Sequence, residues 1–141
     1  MKPEEPTMLD PHGALIYTMV IVTGAESRLP PDEVTMIGDI VGHWPVFHGF
    51  DHKKLPGHLN DCAELLARDE GLDATLEAIK AALPQRLRET AYAIACDLVA
   101  VDGSATQEEL QLLELIRDRF ELDRLIAAAI ERGARARAQQ V

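Results

Sequence analysis

Ala14 to Val22 reads ALIYTMVIV, an apolar run without a charged residue. Such a segment cannot lie on a wet surface, and it is far too short for a bilayer, which takes about 20 residues. It must therefore sit inside a fold. Its Val, Ile and Thr suit a strand as well as a helix. Every other long segment has helical periodicity, however, and no partner strand is in view. A helix that is apolar on all faces belongs at the centre of a bundle. Asp10-Pro11 supplies its opening, an N-cap acceptor followed by a proline at the first helical position.

The other segments supply the layers around that centre. After a turn at Glu26 to Pro30, a second helix begins near Pro31 with Val34, Ile37 and Val41 on one face. Residues 42–58, GHWPVFHGFDHKKLPGH, read as a long loop that Trp44, Phe47 and Phe50 tie inward. A third helix carries Leu59, Cys62, Ala63 and Leu66, with Gly71 as its C-terminal stop. Leu72, Leu76, Ile79 and Leu83 mark the fourth. Pro84 opens the fifth, whose inward face is Leu87, Ala91, Ile94, Ala95 and Leu98 and which ends at Asp102-Gly103. Thr106-Gln107-Glu108-Glu109 is a capping box for the sixth, which continues through Leu110, Leu113, Ile116 and Phe120. Leu122, Leu125, Ile126, Ala129 and Ile130 form the seventh, before a basic tail. With 141 residues, 47% of them hydrophobic, the chain can build one core without staples. The expected architecture is a single all-α domain over residues 1–141, a compact bundle of about seven helices.

Tyr17–Val41 laid without gaps over Ala93–Arg117 reveals a repeat. Ala25-Glu26-Ser27 meets Val101-Asp102-Gly103, and Asp32-Glu33-Val34 meets Glu108-Glu109-Leu110. Each copy is a helix, an acidic turn and a second helix with Glu in its first turn, so the bundle holds two pseudo-repeated helix-turn-helix units. The second copy, Ala95-Cys96-Asp97-Leu98-Val99-Ala100-Val101-Asp102-Gly103-Ser104-Ala105-Thr106-Gln107-Glu108-Glu109, resembles the signature of the TerB tellurite-resistance family. Leu87 to Tyr92 before it and Leu110 to Leu122 after it also fit, and the likeness spans nearly the whole chain. The resemblance implies a compact helical fold and a role in resistance to tellurite and other stresses. It also implies work within complexes of stress-resistance proteins, and acidic surface residues proposed as a divalent-cation site. Asp102 and Glu109 are the matching positions in the second copy, and Glu26 and Glu33 in the first, where the turn reads Glu-Ser instead of Asp-Gly.

If the repeats pack about a pseudo-twofold axis, Glu26 and Glu33 approach Asp97, Asp102 and Glu109, a set suited to calcium or magnesium with several waters. The same residues have an ordinary explanation, Glu109 as capping residue and Asp102 as turn residue. An EF-hand is excluded, because Leu98 and Ala100 stand where its first oxygen ligands are needed. A second candidate metal set is His43, His48, His52 and His58, with Asp51 beside them, although their spacing matches no helix-face or finger pattern. Cys62 and Cys96 form no CxxC pair and read as small, reduced core residues, which suits the cytoplasm.

The formal charge of −10, from 24 acidic and 14 basic residues, repels phosphate backbones and anionic membranes, which argues against nucleic acid, as the short apolar run argues against membrane insertion. Basic protein surfaces and cations are its complements. No P-loop, dinucleotide glycine pattern, GxSxG or HExxH is present. The leading expectation is a non-enzymatic protein-interaction module; a metal-handling protein and an enzyme of unfamiliar chemistry are the alternatives.

Overall fold

The fold is that of a computed structural model, which describes residues 9–24, 31–100 and 105–141, with backbone alone at 31–34. Among these residues there are seven α-helices and no strand: α1 (Pro11–Val22), α2 (Pro31–His43), α3 (Leu55–Leu66), α4 (Gly71–Ala82), α5 (Gln85–Ala100), α6 (Gln107–Arg119) and α7 (Arg124–Arg137). None of them is long and apolar enough to cross a membrane.

Helix α1 is the hub, as its composition requires. Leu15, Ile16 and Met19 are wholly buried, and the helix packs on α3, α4, α5 and α6. Asp10 caps it, its Oδ1 accepting from the Gly13 amide at 2.7 Å. The buried Thr18 bonds to the helix's own backbone: its Oγ1 donates to the Ala14 carbonyl at 2.9 Å, which makes burying the hydroxyl tolerable. Helix α5 is the second axis and carries α2, α6 and α7, with Tyr92, Ile94 and Ala95 in the core.

The segment expected as one long loop is more ordered than that. His43 closes α2, two 3-10 turns cover Pro45–Phe47 and His52–Lys54, and Leu55 to His58 already belong to α3. Phe47 and Phe50 are buried and Trp44 is half-buried. The tie to the bundle is His12 of α1, whose ring stacks on Phe47 at 5.6 Å and meets Phe50 edge-on at 5.3 Å. Its Nε2 bonds to the Val46 carbonyl at 2.9 Å.

Three packing expectations are corrected. Gly71 does not stop α3; it is the first residue of α4, and the left-handed residue of the connection is Glu70, with φ 54°. Gly71 is glycine because two carbonyl oxygens, of Leu65 and Leu66, lie 2.5 Å from where a Cβ would stand. Ala63 is exposed, since the α3 stripe runs through Leu55, His58, Leu59, Cys62 and Leu66 at i, i+3, i+4, i+7 spacing. On α7 the inward residues are Ala127, Ile130 and Ala134, and Leu125 and Ile126 fall outside that stripe, with Leu125 81% exposed. The basic tail is the last turn of this helix, where arginines complement the helix dipole.

Candidate functional site

The acidic candidates divide. Glu26, Asp102 and the side chain of Glu33 lie outside the described residues, whereas Asp97 and Glu109 are both engaged within the chain. Asp97, on α5 and 8% exposed, takes two hydrogen bonds on Oδ1 from Arg137, from Nε at 3.1 Å and Nη2 at 2.7 Å. This pins the end of α7 to the middle of the bundle. Glu109 completes the capping box: its Oε1 accepts from the Thr106 amide at 2.9 Å, while Thr106 Oγ1 accepts from the Glu109 amide at 3.1 Å. Gln serves at that position as well as Glu. Glu109→Gln is therefore expected to leave the melting temperature nearly unchanged, and Thr106→Ala to cost about 1 kcal/mol, read by thermal denaturation. A large loss from Glu109→Gln would mean that its charge has another partner.

The histidines are dispersed. His43 Nδ1 bonds to the Asp39 carbonyl one turn back on α2 at 2.9 Å. His48 is exposed. His52 and His58 flank Phe50, with ring centroids 5.8 and 6.1 Å away. Among the described residues no three His, Cys, Asp or Glu side chains come close enough to share an ion.

The feature with the form of a binding site is a groove between α6 and α7. Both helices pack on α5. Toward this seam α7 and the residue that caps its end present Ala128, Ala134 and Ala138, side chains too short to fill it. The result is two adjoining cavities of about 510 and 470 Å³, which share Glu114, Arg117 and Glu131. Tyr92, Cys96 and Val99 of α5 form the floor of the larger, with Leu113 of α6 beside them. Leu110 stands at its rim, 49% exposed.

A polar strut crosses the seam. Tyr92 donates its hydroxyl proton to Glu131 Oε2 at 2.6 Å, and Arg117 Nη1 lies 3.6 Å from the same oxygen. Arg117 is also 4.0 Å from Glu114 and 3.8 Å from Asp118. Arg124 and Arg135 of α7 line the cavities and form no ion pair with another described residue. The groove thus has an acidic wall on α6 and a basic wall on α7, bridged once in the middle.

The floor carries no activated nucleophile. Burial and the hydrogen bond to Glu131 raise the Tyr92 pKa far above its ordinary value. Burial, helped by the charges of Glu131 and Asp97, pushes the Cys96 thiol up to about 12. Burial alone takes Cys62 to about 12. Since the thiolate is the reactive form, neither cysteine of the native protein is expected to react readily with Ellman's reagent at pH 8, and both are expected to react at once in guanidinium. Rapid native labelling of one thiol that is lost in Cys96→Ala would show Cys96 to be accessible from the groove.

The periodic pattern alone did not reveal this site, because Leu110 has the spacing of an inward residue. The available signal was the series Arg124, Ala128, Glu131, Arg135 and Ala138, a helix side with alanines where a packed seam needs bulk. No protein-family model matches the chain, no curated protein matches it, and no solved structure does.

Proposed function

We propose that this chain is a TerB-like, non-enzymatic interaction module of a cytoplasmic stress response, and that it holds a protein partner in the α6–α7 groove. The observation that carries this reading is the groove itself, an apolar floor with one acidic and one basic wall, left open by alanines. Interaction sites have this composition, with apolar and aromatic contacts at the centre and a polar rim. Tyr92 and Cys96 stay neutral, so the floor offers packing and hydrogen bonding but no nucleophile. The link to tellurite and other stresses rests on the likeness of Ala95–Glu109 to the family signature. Divalent cations, calcium or magnesium, enter as a second ligand class through the acidic turns and are tested separately.

The test is site-specific photo-crosslinking in living cells of the source organism. A photoreactive residue at 110 or 128 is expected to give a discrete protein adduct, and one at 64 or 86, on exposed surface of α3 and α5, is not. Adducts from 64 or 86 alone would move the working surface away from the groove.

A further inference from the structure

From the charge pattern of the groove we infer the kind of partner it takes: an amphipathic α-helix with an apolar stripe, bordered by Lys or Arg on the edge facing α6 and by Asp or Glu on the edge facing α7. The inference rests on the groove being the interaction surface, and it specifies the occupant.

The lining of α7 runs from Arg124 to Ala138, about 20 Å along the helix axis. A docked helix of about 14 residues spans that distance and presents anchors at i, i+3, i+4 and i+7 to the floor. The trough lies between two helices that both pack on α5, so a rod laid over the seam would touch Leu110 on one side, Ala128 and Ala138 on the other, and Val99 below.

Charge decides the edges of that rod. Arg117 and Glu131 pair across the seam at 3.6 Å. Glu114 and Asp118 remain on the α6 wall, sharing the single guanidinium of Arg117. Arg124 and Arg135 remain on the α7 wall without a carboxylate partner among the described residues. A helix with like charges on both edges would meet repulsion along one wall. A helix with opposite edges meets attraction along both, and in only one of its two possible directions. The polarity therefore sets the orientation of the partner as well as its composition.

The experiment uses the full chain and two labelled synthetic peptides of about 14 residues, identical in composition and both with a Leu stripe. One carries all its Lys on one flank and all its Glu on the other. The second mixes them on both flanks. Fluorescence anisotropy is expected to give a dissociation constant about tenfold lower for the polarised peptide. Glu114→Arg with Asp118→Arg should erase that preference, and so should Arg124→Glu with Arg135→Glu from the opposite wall, with circular dichroism confirming that both variants fold. Equal binding of the two peptides, or binding of neither, overturns the inference. So does a concentration-dependent dimer in sedimentation that excludes the peptide, since the occupant would then be a second copy. If no peptide binds but residue 110 still crosslinks a protein in cells, the occupant inference fails while the groove remains the working surface. If residue 110 crosslinks nothing, the underlying reading fails with it.

Discussion

Gly71→Ala is expected to destabilise the protein by about 3 kcal/mol, among the largest effects of any one-carbon change in the chain. The added Cβ would stand 2.5 Å from the carbonyl oxygens of both Leu65 and Leu66 and 2.7 Å from a carbonyl carbon. These are backbone atoms and cannot swing aside as a side chain would. Relief requires α4 to shift away from the end of α3, and α4 is packed against α1 and buries Leu76 and Ile79, both essentially without solvent exposure. For a chain of this size the loss corresponds to about 10 °C in melting temperature, measurable by calorimetry. A shift within a degree or two would mean that the α3–α4 corner has slack that the close approach denies.

Arg137→Ala is the second large effect, expected at about 2 kcal/mol. The Arg137 side chain is 56% exposed, but the Asp97 side chain that it holds is 8% exposed. Removing the arginine leaves a buried, charged acceptor without its two donors, and such a deletion costs more than the pair is worth. Partial exposure of Arg137 keeps the figure below that of a fully buried pair. Asp97→Leu with Arg137→Met removes both charges together and is expected to lie much closer to wild type than Arg137→Ala. Urea denaturation of the variants decides the matter. If the double variant is as damaged as Arg137→Ala or worse, the pair carries net stabilisation of its own. That result would assign Asp97 a larger structural role than that of a satisfied buried charge.

Much of the fold could be read from local chemistry. The Asp10 cap, the proline at the start of α1, the all-round burial of that helix and the Thr106–Glu109 box are written in adjacent residues, and the helices begin where those signals stand. What local pattern could not supply was the side of each helix that finds a partner. Leu125 and Ile126 look like core residues by composition, yet α7 docks on α5 through Ala127, Ile130 and Ala134. On that side Arg137 also meets Asp97, 40 residues away in sequence. Gly71 was read for conformational freedom when its role is space, which only the neighbouring carbonyls disclose. The groove was hidden for the same reason: an unfilled seam is a property of two helices and a floor, and no single helix shows it. His12, alone outside the histidine-rich stretch, turned out to be the ring that ties that stretch to the bundle.

The most direct test of the account is the affinity of purified protein for the partner crosslinked from residue 110, measured for wild type, Leu110→Glu and Asp102→Asn with Glu109→Gln, each in chelator and in excess calcium or magnesium. Leu110→Glu is expected to weaken binding by about tenfold or more, because a carboxylate would then be pressed against the apolar stripe of the partner, and neither the acidic-turn variant nor the chelator is expected to approach that loss. Undiminished binding by Leu110→Glu, together with loss in chelator or in the acidic-turn variant, would contradict it and make the acidic turns the working site.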